Sequence, residues 1–198
     1  MIYIIGAGGH TRTTISILQE KYDNSQLSII DSPKFDGENI LGINIMQIDY
    51  LESISGDYFV SIGDNEKRKE IFEKIENKLN IINVISKSAY IHKSCFIGIG
   101  NLISFKAVIC PGVKIGNNNI INTGAIVEHE SLIGSNCHIA PGAIILGRVK
   151  IGNNVLIGAG TIIKNGISVC DNVILGAGSV VISNINKPGK YVGKVIKK

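Results

Sequence analysis

The stretch Ile151-Gly-Asn-Asn-Val-Leu-Ile-Gly-Ala-Gly-Thr-Ile-Ile163 contains two copies of a six-residue repeat, each beginning with Ile followed by Gly. The fifth residue of each copy, Val155 or Thr161, is small or thin. A short fixed period that continues over many copies is typical of a stacked β-solenoid. The repeat therefore decides the fold of the part of the chain in which it occurs.

The same spacing continues without a break through residues 85–185. Every first position is occupied by Ile, Val or Leu: Ile85, Ile91, Ile97, Ile103, Ile109, Ile115, Ile121, Val127, Ile133, Ile139, Ile145, Ile151, Ile157, Ile163, Val169, Leu175 and Val181. We expect three hexads to form one triangular coil, with each first position pointing inward and stacked on its counterpart one coil away. The small fifth position fits a crowded corner. Turns such as Gly116–Asn119 and Gly152–Asn154 contain residues that tolerate positive φ. The repeat predicts a parallel β-helix of between five and six coils.

Composition limits the classes of partner and compartment. The chain has 198 residues, a formal net charge of +4 and no Trp. This mild charge, without a basic stripe, does not favour nucleic acid as a partner. No apolar run approaches the length of a membrane span, and the sequence begins directly with a strand-like run, Met1–Ile5, without a leader before it. We expect a cytoplasmic protein that binds small molecules and does not associate with membranes.

The four cysteines do not form a metal-binding or redox motif. Cys95 and Cys137 fall at the inward fifth position, and Cys110 and Cys170 fall at the second position of their hexads. No two of them form a CxxC pair. We expect free thiols in a reducing compartment.

The first 84 residues have a different pattern, which predicts a Rossmann-like α/β domain. Residues 2–5 and 27–30 read as strands, separated by the turn Gly6–His10 and a helix through Ile15, Leu18 and Tyr22. A glycine-rich turn that opens a helix suits a phosphate. Thr11 stands where a GxGxxG dinucleotide fingerprint requires Gly. Asp31 ends the second strand, near the position that holds a ribose hydroxyl in nicotinamide enzymes.

Further strands are expected at 58–62 and 81–84, with a helix from about Glu66 to Leu79 after the turn Gly63-Asp64-Asn65. Residues 31–49 read as a loop with one short extended piece at Ile43–Ile45. About four parallel strands would suit one nucleotide better than a dinucleotide. We divide the chain into an α/β domain at 1–84, a β-helix at 85–185 and a tail at 186–198. The Pro188-Gly189 turn is expected to fold the tail back onto the β-helix.

The four histidines are the candidates for chemistry. His129 lies in a β-helix turn between Glu128 and Glu130, where a carboxylate would orient the imidazole as a general base; an exposed turn histidine is the alternative. His138 reads as a surface residue or a second site residue, and His92 reads as a solvated turn residue. His10 either contacts a phosphate or sugar or packs on the helix start. The spacing of His92, His129 and His138 does not match the zinc ligands of a γ-class carbonic anhydrase, so no catalytic metal is expected.

Three motifs give the chain a resemblance to a known family. They are Gly6-Ala-Gly-Gly-His10, Ser61-Ile-Gly-Asp-Asn-Glu-Lys-Arg68 and Ile121-Asn-Thr-Gly-Ala-Ile-Val-Glu-His-Glu130. Together with the hexads they resemble the PglD/NeuD-type bacterial sugar acetyltransferases, which are left-handed β-helix acyltransferases. The resemblance spans nearly the whole chain. It implies a homotrimer with active sites between subunits, which transfers an acetyl group from acetyl-CoA to an amine or hydroxyl of a sugar.

The resemblance also implies roles for individual residues. His129 matches the general base and Glu130 the carboxylate that raises its basicity, while backbone N–H groups near Gly147 would stabilise the oxyanion. Residues that match the acetyl-CoA groove are His138, Gly147, Ala159 and Ala177. Residues that match the nucleotide-sugar region are Gly8, Gly9, His10, Asp31, Gly63 and Arg68. The chain departs from the family at Thr11, where Gly is frequent, and at Ser32, where an acidic residue is common.

The identity of the acceptor stays open at this point. A UDP-linked 4-amino sugar is favoured by the N-terminal domain, with sialic acid or a related sugar as an O-acetylation alternative. A nucleotide-sugar-binding scaffold without catalysis is a second class of function. An NAD-dependent oxidoreductase is disfavoured by the small sheet and by Thr11.

Overall fold

The computed structural model describes residues 1–32, 37–47 and 51–195, with Glu52 and Val195 described by their backbone alone. It contains an α/β unit followed by a parallel β-helix. Part of the loop expected at 31–49, and the end of the tail at 196–198, lie outside these residues. Within the described ranges, no helix has the length and apolarity needed to cross a membrane.

The α/β unit has a six-stranded sheet rather than about four strands. Its strands are β1 (Ile2–Ile5), β2 (Leu27–Ile30), β3 (Asn39–Ile40), β4 (Ile43–Met46), β5 (Asp57–Val60) and β6 (Asn80–Ile81), in the order β3-β4-β2-β1-β5-β6. All neighbours pair in parallel except β3 and β4. The additional strands come from the segment that we expected to be mostly loop, since Ile43 and Ile45 are buried and extend the sheet.

Two helices and two 3₁₀ turns complete the unit. Helix α1 spans Gly9–Leu18 and helix α2 spans Asn65–Ile75, while the 3₁₀ turns span Asn24–Gln26 and Leu51–Ser53. Both helices are shorter than predicted, because residues 19–21 and 76–78 form turns instead of continuing them. The Asp64 carboxylate caps α2 by accepting the Lys67 N–H at 2.9 Å.

The β-helix has the seventeen short strands that the hexads predicted, arranged as three faces. The covered face contains Val84–Ile85, Leu102–Ile103, Ile120–Ile121, His138–Ile139, Leu156–Ile157 and Val173–Leu175. The apolar face contains Tyr90–Ile91, Val108–Ile109, Ile126–Val127, Ile144–Ile145, Ile162–Ile163 and Val180–Val181. The lysine face contains Phe96–Ile97, Lys114–Ile115, Leu132–Ile133, Lys150–Ile151 and Ser168–Val169.

Residues one coil apart pair in register, as expected for an 18-residue coil. Ile103, Ile121 and Ile139, for example, are successive partners on the covered face. The small fifth positions, such as Ala125 and Cys137, have no exposed surface and lie in the same core as the aliphatic first positions. The first and fifth positions of each hexad therefore identify the side chains that point into the prism.

The structure gives Gly152 a different physical reason from the one expected, and it gives the tail a different course. Gly152 is required by space and not by positive φ, because a Cβ there would lie 2.1 Å from Asp171 Oδ1 of the next coil. The adjacent Asn154 does have a positive φ, of 56°. The tail does not fold back: Gly189–Tyr191 and Lys194–Val195 pair in parallel with the last strands of the covered and apolar faces and continue the stack.

The α/β unit packs on the covered face, which explains that name. Val84, Leu102 and Ile120 point out of the prism and are at most 1% exposed, because they share a core with β1, β2 and α1. The strand predicted at 81–84 is accordingly divided, with Ile81 in the α/β sheet and Val84 in the first strand of the β-helix. The next outward residue along this face is His138, which lies at the edge of the contact between the α/β unit and the β-helix.

Candidate active site

The turns between faces stack into three corners, and these corners position the predicted site residues. The histidine corner, between the apolar and lysine faces, contains Pro111, His129, Gly147 and Asn165. The alanine corner, between the covered and apolar faces, contains Thr123, Pro141, Ala159 and Ala177. The asparagine corner, between the lysine and covered faces, contains Asn118, Asn136, Asn154 and Asn172.

His129 and Glu130 form a contact at the histidine corner. Nδ1 of His129 lies 3.4 Å from Oε2 of Glu130. The imidazole is half exposed, and the Glu130 backbone has a φ of 59°, which turns its side chain beside the ring. Hydrogen bonds from Arg148 and from the His129 imidazole lower the pKa of Glu130, so that it is ionised at neutral pH. This pair can hold the imidazole so that Nε2 is left to accept a proton.

Gly147 lies one coil above His129, directly against its ring. A Cβ added to Gly147 would be 2.5 Å from Nε2 and 2.6 Å from Cε1 of His129, and the residue is buried. Within the described residues the Gly147 N–H has no hydrogen-bond acceptor. The corner thus combines an imidazole, a carboxylate and an N–H donor, the groups that acyl transfer requires.

We expect Gly147→Ala to lower kcat by roughly 10- to 100-fold, because the new methyl group would displace the His129 ring. The backbone of Gly147 lies outside the left-handed region, so alanine itself adds no backbone strain. Steady-state kinetics at saturating substrates measure the effect. A double-mutant cycle with His129→Ala is the control: Gly147→Ala should have no further effect once the ring is gone. An equal loss in both backgrounds would contradict this explanation.

Ala159 and Ala177 lie on a different corner from His129. They stack one coil apart, with the Gly178 N–H donating to the Ala159 carbonyl at 2.8 Å, and both are exposed. The whole apolar face separates their corner from His129 and Gly147. One chain therefore does not bring the predicted acetyl-CoA residues together in a single groove.

Five of the six predicted substrate residues border one cavity in the α/β unit. This open cavity of about 520 Å³ is lined by Gly6, Ala7, Gly8, Gly9, His10, Asp31, Ser61, Ile62, Gly63 and Lys67. A Cβ at Gly8 or Gly9 would contact nothing within 4 Å, so the start of α1 is open to a ligand. No side chain caps that helix start and no acidic residue lies in its first turn. The cavity suits an anionic group such as a phosphate.

Asp31 shapes this cavity through the turn beside it. One carboxylate oxygen, Oδ2, accepts the Ala7 N–H at 2.7 Å, and the other accepts the Ser32 N–H at 2.7 Å. Asp31 also borders a neighbouring cavity of about 460 Å³ with apolar walls that include Ile5, Ile30 and Leu51. Its carboxylate therefore fixes the glycine-rich turn while facing both cavities.

Arg68, the sixth residue predicted to bind substrate, is not among the residues that line the cavity at the start of α1. Its side chain is buried, and its guanidinium donates to the carbonyls of Ile62, Gly63, Asn118, Asn136 and Cys137 and to Oδ1 of Asn65, at distances of 2.8 to 3.3 Å. Each of the three guanidinium nitrogens donates in this way. Arg68 therefore joins α2 to the asparagine corner.

His138 lies beside His10, on the covered face rather than on the alanine corner. Their ring centroids are 6.3 Å apart, and His138 Nε2 accepts a hydrogen bond from Asn122 Nδ2 at 3.1 Å. Burial, together with the positive charge of Arg68, lowers the pKa of both histidines to about 4. Nε2 of His10 is buried without a hydrogen-bond partner among the described residues. Two neutral imidazoles thus lie side by side, and that of His10 lines the α/β cavity.

Several residues of these sites were not found from the sequence. Arg148 stacks one coil above Glu130 and donates from Nε to its Oε2 at 2.7 Å; the 18-residue spacing would have identified it. Thr11, treated as a departure in the substrate region, is buried and donates to the Gly6 carbonyl at 2.7 Å. Among the described residues, no group of three or more His, Cys, Asp or Glu side chains is arranged to hold a metal ion.

Comparison with protein families finds two matching models. Residues 1–75 match the PglD N-terminal domain. Residues 112–147, 130–165 and 148–183 match the bacterial transferase hexapeptide model of six repeats. The two matches fall on the α/β unit and on the β-helix respectively.

Solved structures extend the similarity over almost the whole chain. The acetyltransferase domain of PglB from Neisseria gonorrhoeae is 28% identical with a TM-score of 0.89, covering 97% of this chain and 96% of that one. PerB from Caulobacter crescentus, in complex with CoA and GDP-perosamine, is 28% identical with a TM-score of 0.87, covering 97% and 93%. An uncharacterized protein of Acanthamoeba polyphaga mimivirus is 35% identical over 101 residues, which are 50% of this chain. This chain spans only 20% of that viral protein's length.

Proposed function

We propose that this chain, which belongs to the PglD-like sugar acetyltransferases built on hexapeptide repeats, transfers an acetyl group from acetyl-CoA to the amine of a nucleotide-linked sugar. The observation that carries the proposal is the His129–Glu130 pair against Gly147, whose backbone N–H has no acceptor among the described residues. The combination of this corner with an anion-binding cavity in the α/β unit accounts for both substrates.

The proposed reaction is direct transfer without a covalent enzyme intermediate. The acceptor nitrogen attacks the thioester carbonyl carbon while His129 Nε2 takes its proton, and Glu130 stabilises the resulting imidazolium. The oxyanion that forms accepts a hydrogen bond from the Gly147 N–H. The C–S bond then breaks, and the CoA thiolate leaves with the proton that His129 returns. This route needs no Ser or Cys nucleophile; the nearby Cys110 thiol interacts with Glu128, and burial and that carboxylate raise its pKa.

The apolar face supports a homotrimer with composite sites. Its outward residues form an uninterrupted aliphatic and aromatic column: Tyr90, Val108, Ile126, Ile144, Ile162 and Val180. Tyr90, Ile162 and Val180 are 39–55% exposed in the single chain, which leaves an apolar patch for a partner. The histidine and alanine corners border this face on opposite sides. Packing copies through it would place one subunit's His129 beside the next subunit's Ala159 and Ala177.

Such an arrangement gives acetyl-CoA a groove that one chain lacks. The small side chains of Ala159 and Ala177 leave room for an extended pantetheine chain along the prism axis. Gly147 would border the same groove at the level of the thioester. His138 is assigned to the acceptor sugar rather than to the cosubstrate, since its ring lies 6.3 Å from that of His10, which lines the α/β cavity.

We expect Ile144→Lys, in the middle of the apolar face, to convert the trimer to monomers and to abolish most acetyl transfer, because a buried unpaired charge opposes association. Light scattering after size exclusion measures the mass, and thiol release measures the activity. Leu132→Lys on the lysine face is the matched control and should stay trimeric and active. A trimeric, fully active Ile144→Lys variant would contradict the composite site.

The acceptor is proposed to bind with its phosphates at the start of α1. The N–H groups at Gly8 and Gly9 and the nearby Lys67 supply the positive potential. The apolar cavity that shares Asp31 has space for the base. A UDP-linked 4-amino sugar is the favoured acceptor, and GDP-perosamine is included because it is bound by the similar PerB. The sugar would extend past His10 and His138 towards the neighbouring His129.

A panel of acceptors tests the proposal. Purified protein is incubated with acetyl-CoA and UDP-4-amino sugars, GDP-perosamine or sialic acid, with thiol release and the product mass as readouts. A mass increase of one acetyl group on a nucleotide-linked amino sugar is the expected result. Transfer only to sialic acid would favour the O-acetylation alternative. Binding of a nucleotide-sugar without any thiol release would favour a scaffold.

A further inference from the structure

We propose that Arg148 is a positioning residue that controls the charge and orientation of Glu130 beside His129; this inference rests on the proposed function. Arg148 lies one coil above Glu130, and both residues have positive φ, of 57° and 59°. Its Nε donates to Glu130 Oε2 at 2.7 Å, and its backbone N–H donates to the His129 carbonyl at 2.9 Å. Arg148 therefore contacts both members of the pair.

The decisive feature is that one oxygen serves two partners. Glu130 Oε2 accepts from Arg148 at 2.7 Å, and the same atom lies 3.4 Å from Nδ1 of His129. The shorter contact, with Arg148, fixes the position of the Glu130 carboxylate. The longer contact, with His129, depends on that position. Without Arg148, the carboxylate could rotate freely on an exposed side chain. The guanidinium thus determines the direction in which Glu130 meets the imidazole.

The charges around His129 make the effect of Arg148 measurable. Glu130 faces Nδ1, and the Glu128 carboxylate lies 3.4 Å from the His129 backbone N–H. Burial and the Glu128 carboxylate raise the pKa of the Cys110 thiol, one coil below, and Gly147 lies against the His129 ring. Arg148 is the one cation in contact with this group among the described residues. It offsets part of the negative charge that would otherwise stabilise a protonated His129.

This position predicts a specific consequence for catalysis. Removing the positive charge leaves Glu128 and Glu130 to stabilise the imidazolium, so that the base becomes protonated at a higher pH. The acidic limb of the kcat/KM profile should then move to higher pH. Loss of orientation should lower kcat as well, because Glu130 no longer holds the ring in one direction.

The experiment compares Arg148→Gln, Arg148→Lys and the control Lys114→Gln, which removes a positive charge from the lysine face. Arg148→Gln should lower kcat about 3- to 10-fold and move the acidic limb up by about half a pH unit at low ionic strength, less at high salt. Arg148→Lys should keep the acidic limb of the kcat/KM profile at the wild-type pH but should have a lower kcat. Lys114→Gln should behave like the wild type. In a Glu130→Gln background, Arg148→Gln should add little.

Two outcomes would overturn the inference. One is an unchanged pH profile in Arg148→Gln, and the other is a rise confined to KM for acetyl-CoA, which would make Arg148 a cosubstrate contact. An NMR titration of the His129 imidazole in wild type and Arg148→Gln separates this inference from the proposed function. A midpoint that rises in the variant, in a protein that transfers no acetyl group, would support the contact and refute the function.

Discussion

Replacing His129 with alanine is expected to lower kcat by about 10²- to 10⁴-fold, the usual contribution of a general base. The variant loses the group that accepts the acceptor's proton, while the apolar core beneath the turn is untouched, because His129 is half exposed. KM for acetyl-CoA should change little if its pantetheine is held by the alanine corner. Turnover is measured by thiol release with the acceptor that the panel identifies.

His92→Ala is the matched control for this variant. His92 is also a turn histidine of the β-helix, and its Nδ1 contacts Ser94 Oγ at 2.8 Å without any carboxylate beside it. It lies at the start of the stack, away from Gly147. Thermal unfolding should be the same in both variants and the wild type. Unchanged turnover in His129→Ala would remove His129 from the mechanism, whatever the acceptor.

The β-helix could be predicted from the sequence because its physics is local and repeated. Each hexad has the same surroundings, an aliphatic neighbour one coil away and a crowded corner. Ile103, Ile121 and Ile139 are therefore aliphatic for the same reason, because each packs on its counterpart in the next coil. The catalytic corner was found as an exception to that repeat. His129 and Glu130 occupy a turn, and their contact depends only on adjacent residues.

Features that depend on distant parts of the chain could not be predicted in the same way. Motif spacing associates Arg68 with the substrate turn, yet its carbonyl partners at 118, 136 and 137 lie about 50 to 69 residues away in sequence. His138 was grouped with Ala159 and Ala177, but the face on which it lies is the one covered by the α/β unit. A hexad pattern specifies which side chains point inward; it contains no information about what covers each outer face.

Replacing Arg68 with methionine is expected to destabilise the α/β unit by about 3–5 kcal/mol, because several carbonyls lose a charged hydrogen-bond donor at a cost of about 1–3 kcal/mol each. Burial lowers the pKa of Arg68 to about 10, so the guanidinium stays charged at neutral pH. Methionine fills part of the volume but removes the guanidinium donor from five carbonyls, of which that of Cys137 keeps the Ile120 N–H. Three of those carbonyls belong to the β-helix, so the loss weakens the contact between the two parts of the chain.

Chemical denaturation monitored by circular dichroism measures this effect, with Lys69→Met as the control. Lys69 is the next residue of α2, and its 3.9 Å contact with Glu73 is a partly exposed ion pair of little energetic weight. Only Arg68→Met should lower the midpoint at which helix signal is lost. The β-helix keeps its own continuous core, so its strands should resist denaturant longer than α1 and α2 in this variant. Equal midpoints for the two variants would mean that the six hydrogen bonds of Arg68 contribute no net stability, and that apolar packing of Leu102 and Ile120 alone holds the α/β unit on the covered face.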